Sequence, residues 1–239
     1  MGIDWNSDTF FSRAFRVWHV LEIGRLTVSY LEHDCFRLEA DGKVLYTDPF
    51  RIRVQTKKAD FVTISHDHYD HLNEEDLAKV LKPETIIIAS LCCQGKLERK
   101  GKEVHYLRAG ETFSEGGIIV SAVPAYNINK FRSPGHVFHE KGYNGAGFVI
   151  EMGGARVYHA GDTDFIQEMK ALGKIDLALL PVSGTFVMTP EEAIEAAALI
   201  SPSVAVPMHW GGIIGSHQDA MKFVDGVSSR GKAQLLEKE

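Results

Sequence analysis

Ile64-Ser65-His66-Asp67-His68-Tyr69-Asp70-His71 decides how this chain is read. The apolar run Phe61–Ser65 leads into it and has the pattern of a buried strand. Just beyond, Asn73 offers an N-cap for a helix that runs to about Lys82 and is stopped by Pro83. The stretch therefore lies in a sharp turn at the carboxyl end of a strand, where open α/β sheets gather side chains around a ligand. Imidazole nitrogens and carboxylate oxygens are ligands for Zn²⁺, Fe²⁺ and Mn²⁺. His66 and His68, two apart, can share one metal, and Asp70 and His71 can aim at a second. Bundling three histidines in a loop brings the fold no benefit, so metal binding is the better reading than a solvated loop.

Two further stretches repeat the arrangement. Tyr158-His159-Ala160-Gly161-Asp162-Thr163-Asp164 also ends a strand, and its glycine lets the backbone and Asp162 come close to a ligand. A carboxylate there can bridge two cations. Val206-Pro207-Met208-His209-Trp210-Gly211 places one more histidine at a strand end. Together the three stretches supply His66, His68, Asp70, His71, Asp162 and His209.

The rest of the chain bounds the answer. Its 239 residues suit one large α/β domain, and 44% hydrophobic with 24% charged residues is globular rather than disordered. A net charge of −6 gives no global basic field for nucleic acid or an anionic membrane, so no nucleic-acid partner is expected. No apolar run is long enough to span a bilayer, and the N-terminus lacks a secretory apolar core. Three cysteines without CxxC spacing fit a reduced, cytoplasmic protein.

Short β-branched runs punctuated by turn residues predict strands over 26–30, 35–39, 44–47, 85–90, 118–123, 148–152, 156–159, 176–182, 204–207 and 233–236. Helices are predicted over about 165–172, from the Thr189-Pro190-Glu191-Glu192 start to before Pro202, and over 217–227. Hairpins come early and strand–helix alternation late, which predicts two sheets covered by helices. Phe11, Phe15 and Trp18 share one face of a helix in an extension over residues 1–24, expected to pack on a single domain over 1–239.

His66-x-His68-x-Asp70-His71, then Gly161-Asp162-Thr163, then His209 after a strand, resembles the metallo-β-lactamase superfamily from about Leu26 to the C-terminus. Glu32-His33-Asp34, Thr47-Asp48-Pro49 and Met208-His209-Trp210-Gly211 look like the branch holding the ascorbate-6-phosphate lactonases and N-acyl-phosphatidylethanolamine phospholipase D enzymes. The resemblance implies an αββα sandwich of two mixed sheets flanked by helices, with the metals at one edge. It implies two divalent ions, Zn before Mn or Fe. His66 and His68 would hold the first, Asp70, His71 and His209 the second, and Asp162 would bridge. Asp48 would orient a ligand imidazole.

One position departs from the pattern. Asn127 stands where the family has a histidine, and Asn is a poor zinc ligand. Either the first site is weak, empty or filled by a harder metal, or His136 or His139 reaches in from the long loop after Asn127. Lys130, Arg132, His136 and Lys141 give that loop positive charge suited to an anionic substrate. The expected activity is hydrolysis of an ester, lactone, amide or phosphodiester of a small molecule by a metal-activated hydroxide. Asp70 would assist the nucleophile, and His136 is one candidate acid for the leaving group. The alternative is a metal-binding scaffold with little or no hydrolysis. A homo-oligomer is left open.

Overall fold

Strands β1 (Val20–Ile23), β2 (Leu26–Glu32), β3 (Cys35–Ala40) and β4 (Lys43–Thr47) form an antiparallel meander. Asp41 and Gly42 close the β3–β4 turn with φ of 51° and 75°, the positive values that a two-residue hairpin demands at both central positions. Three parallel strands extend the same sheet: β5 (Phe61–Ile64), β6 (Ile86–Ser90) and β7 (Glu103–Leu107). The second sheet contains β8 (Thr112–Glu115) and β9 (Ile118–Pro124); a small hairpin, β10 (Phe131–Ser133) with β11 (His136–Val137), lies outside it. It continues with β12 (Ala146–Met152), β13 (Ala155–His159), β14 (Leu177–Pro181) and β15 (Val204–Met208), in the order β15-β14-β13-β12-β9-β8. The computed structural model describes residues 19–53, 55–97, 103–229 and 231–239.

Alternation along the strands decides the layers. Leu45, Phe61 and Ile88 face the second sheet, in a core shared with Val120, Phe148, Ile150 and Leu179. Their neighbours Tyr46, Val62, Ile64 and Ile87 face outward and pack with Leu77 and Val80 of α1 (Glu74–Val80). On the far side, α2 (Pro190–Ile200) and α3 (His217–Ser228) cover the second sheet through Ala193, Ala196, Ala220 and Phe223. This is the αββα sandwich of mixed sheets. Reciprocal capping boxes, Thr189 with Glu192 and Ser216 with Asp219, start α2 and α3. Such caps each stabilise a helix by about 1 kcal/mol. No helix among the described residues is long and apolar enough to cross a membrane.

The structure departs from expectation in three places. Residues 165–172 form only a 3-10 turn, Gln167–Ala171, because Ile166 is buried in extended backbone and the Asp164 carboxylate is committed to the backbone of Ile128 and Asn129. Residues 20–23, assigned to an extension, are strand β1, turned onto β2 by Gly24 at φ 59°. The aromatic helix of Phe11, Phe15 and Trp18 lies outside the described residues. Instead of a last strand, the C-terminal segment makes isolated bridges, Ala205 to Ala233 and Tyr30 to Lys238, one on each sheet.

Candidate metal centre

The parallel halves of both sheets end at one edge of the sandwich, and the ligand-type residues follow those ends. His66–His71 follow β5, Asp162 follows β13, His209 follows β15 and Asp48 follows β4. The β2–β3 turn adds His33 and Asp34. Asp48, His209 and His33 have φ of 36°, 59° and 54°. Positive φ is sterically unfavourable for residues with a Cβ, and such strain gathers at functional sites. Gly161, at φ 61°, is required for space as well: a Cβ there would lie 3.1 Å from the Ala146 carbonyl oxygen and 3.1 Å from Ser65 Cβ.

Asp162 sits between two clusters of donor atoms. Its Oδ2 lies 3.4 Å from His139 Nε2 and 3.9 Å from His66 Nε2. Its Oδ1 lies 3.3 Å from His71 Nε2 and 3.3 Å from His209 Nε2. His68 joins the first cluster through Nδ1, 3.2 Å from His139 Nε2. Asp70 joins the second, its Oδ2 3.9 Å from His71 Nε2. His66 Nε2, His71 Nε2, His209 Nε2 and Asp162 Oδ1 are all buried without a hydrogen-bond partner. Buried polar atoms are nearly always satisfied, so four convergent orphans fit a centre made for cations. His68 is exposed, which opens the first cluster to solvent.

Hydrogen bonds behind the clusters fix which nitrogen faces inward. Asp48 Oδ2 accepts from His71 Nδ1 at 2.8 Å, so Nε2 is the nitrogen directed at the centre. The Ser65 hydroxyl donates to Asp48 Oδ2 at 2.5 Å, so its oxygen accepts from His66 Nδ1 at 3.0 Å. Ser183 Oγ lies 2.9 Å from His209 Nδ1.

Asn127 is not a donor to the centre. Its amide nitrogen donates to Asp164 Oδ1 and to the Phe186 carbonyl, both obligate acceptors, so its oxygen must be the atom facing His139. That oxygen accepts from the backbone nitrogen of His139 and from His139 Nδ1, each at 2.9 Å. His139, 4% exposed, thereby presents Nε2 to the first cluster. Replacing Asn127 with Ala should weaken binding of the first cation about 10–100-fold, the usual effect of losing a partner behind a metal-binding imidazole. Zinc titration against a competing chelator reads this out. Asn127→His should give no gain in affinity, because the side chain faces Asp164 and Phe186.

The structure does not bring His136 to the centre. It lies on the exposed β10–β11 hairpin, 3.7 Å from Glu140. The other loop cations are also paired: Lys130 with Glu192 and Asp164, Lys141 with Glu168, and Arg132 with Glu140. The loop's positive charge is balanced locally and gives an anionic substrate no special support.

Charge within the centre is arranged around Asp162. Burial opposes a charge on His71 and His209, but Asp162 outweighs it and raises both above the ordinary histidine range. Burial also acts against ionised Asp162, yet His209 and His71 hold its carboxyl well below the usual range. Burial lowers His66 well below the ordinary value and His139 to about 4. A cation taken up at His71 and His209 must displace protons held by raised pKa values. Its affinity therefore rises with pH and falls as pH drops. Zinc affinity should weaken at least about tenfold from about pH 7 to about pH 6. A titration at both pH values with equal ionic strength checks this.

Residues 27–209 match the family model described as the β-lactamase superfamily domain. A UPF0173 metal-dependent hydrolase of Methanoregula boonei is 36% identical over 77% of this chain and 81% of its own length. The chain belongs to this superfamily and to its UPF0173 metal-dependent hydrolases. A second family member, from Thermoplasma acidophilum, is 33% identical over 77% of this chain and 83% of its own. A solved structure described as a metal-dependent hydrolase of Parabacteroides distasonis superposes with a TM-score of 0.77 at 32% identity. It covers 90% of this chain and 94% of that one. Igni18, a metallo hydrolase of Ignicoccus hospitalis, gives a TM-score of 0.71 at 25% identity over 89% of this chain and 95% of that one.

For this UPF0173 hydrolase the sequence named six of the clustered donors and left His139 as one of two loop candidates. It did not single out His33 or Asp34 as site residues, although the Glu32-His33-Asp34 motif was the available signal.

Proposed function

We propose that the protein is a dinuclear metallohydrolase acting on an ester, lactone, amide or phosphodiester bond of a small molecule. The observation that carries this reading is the split carboxylate of Asp162, one oxygen facing each donor cluster. His66, His68 and His139 would hold one cation, Asp70, His71 and His209 the other, and Asp162 would span them. Divalent cations held this way supply an activated water and positive charge against a developing oxyanion. The nitrogen-rich donor set favours Zn, with Mn or Fe as alternatives. Asp48, Ser65 and Asn127 engage the outer nitrogens of His71, His66 and His139, so the inward nitrogens are the ones that would meet a cation. Asp70, partly exposed beside His71, would accept a hydrogen bond from the attacking water. His136, exposed on the β10–β11 hairpin beside Glu140, is not proposed as the leaving-group acid.

The scaffold alternative rested on Asn127 costing the first cluster a ligand. His139 removes that argument. A single domain in the cytoplasm fits the three free thiols and the one pair of packed sheets.

The test is chelator-stripped protein reloaded with Zn, Mn or Fe and offered a panel of aryl esters, lactones, amides and phosphodiesters. The reading expects metal-dependent turnover of at least one class, lost again on chelation. Full metal loading with no turnover across the panel would favour the scaffold.

A further inference from the structure

His33 and Asp34 are the whole of the β2–β3 connection, since Glu32 still pairs with Cys35. Two-residue hairpin turns are ordinarily surface features rich in Asn and Gly. This one has a histidine at φ 54°, and both residues are fully buried. Its backbone serves the fold. The His33 carbonyl accepts from His209 N, and the Asp34 carbonyl accepts from Thr47 Oγ1 and His159 Nε2. Its side chains do not. His33 Nδ1 and both carboxylate oxygens of Asp34 are buried without a hydrogen-bond partner.

Those side chains face the second cluster. His33 Nε2 is 3.3 Å from Asp70 Oδ2, and its ring centroid is 3.9 Å from that of His209. Asp34 Oδ2 is 3.6 Å from His71 Nδ1, the nitrogen that Asp48 engages, and it is the reach to Asp162 and His209 that joins Asp34 to the cluster. A donor oxygen of Asp34 lies within 4.8 Å of donor atoms of His71, Asp162 and His209. Burial pushes the Asp34 carboxyl up to about 8, so it holds a proton until a cation compensates the ionised form.

We propose that the His33–Asp34 turn is part of the metal centre, with Asp34 giving a carboxylate to the second cation and His33 acting as a positioning residue for Asp70. This rests on the dinuclear reading. Four carboxylates then converge, Asp34, Asp48, Asp70 and Asp162, and two divalent cations bring the matching positive charge.

The experiment compares wild-type, Asp34→Asn and His33→Gln proteins by zinc titration, by cobalt absorption spectra and by thermal melting without metal. For Asp34→Asn the second equivalent should bind at least about tenfold more weakly while the first is unchanged. Its metal-free melting temperature should stay near wild type at neutral pH, because burial pushes the Asp34 carboxyl up to about 8 and it is already largely neutral there. For His33→Gln both equivalents should bind, with a changed cobalt spectrum at the second. Wild-type affinity for both equivalents in Asp34→Asn would overturn the proposal, as would a metal-free variant that melts lower or fails to fold. Wild-type protein that takes only one equivalent would defeat the dinuclear reading and this proposal with it. Two equivalents in wild type and in an unaltered Asp34→Asn would defeat this proposal alone.

Discussion

Asp162→Ala is expected to reduce bound metal from two equivalents to below one and to lower turnover by at least about 10³-fold. The magnitude follows from losing metal-supplied charge stabilisation worth several kcal/mol, at about 1.4 kcal/mol per tenfold. Among the described residues no other side chain has one oxygen beside His66 and His139 and the other beside His71 and His209. Removing it also leaves His71 and His209 without the carboxylate that raises their pKa values. Asp162→Asn separates charge from volume. It keeps the side-chain volume and should still lose most of the metal. Elemental analysis beside a near-ultraviolet circular dichroism spectrum distinguishes lost ligation from lost folding. Two equivalents of metal in the folded Ala variant would refute the bridging role.

His139→Ala and His136→Ala form the second test, because the two histidines lie on the same loop with opposite fates. His139 is buried with Nε2 in the first cluster, whereas His136 is exposed beside Glu140. The His139 variant should bind one equivalent, with turnover reduced about 10²–10³-fold by loss of one cation's share of stabilisation. The His136 variant should keep both equivalents and near wild-type turnover. Equal effects in the two variants, or a loss confined to His136, would contradict the assignment of His139.

What the sequence made legible was whatever local chemistry determines. Asp41-Gly42 specifies a hairpin, Thr189-Pro190 starts α2, and the histidine run after Phe61–Ser65 falls at the end of β5 as its pattern requires. His139 was only half legible, because its place depends on a contact twelve residues back. The Asn127 amide, itself oriented by Asp164 and Phe186, holds both its backbone and its ring. No periodicity encodes such a contact. Asn127 was read as a lost ligand because its type was visible and its partners were not. The same holds for the loop cations, whose acidic partners Glu192 and Glu168 are distant in sequence. His33-Asp34 escaped for a different reason. A two-residue connection reads as an exposed turn, and only the packing of β15 against it shows that it is buried. The 3-10 turn at Gln167–Ala171 was read as a helix since its residue types suit one. Asp164, committed to the backbone of Ile128 and Asn129, was the long-range cause of its shortness.

The central claim is that two cations share Asp162. Metal stoichiometry of the wild-type protein, purified without chelator and measured by inductively coupled plasma mass spectrometry against amino-acid analysis, tests it most directly. The account predicts two equivalents of Zn, Mn or Fe per chain. One equivalent or fewer, unchanged after reconstitution with excess metal, would contradict it.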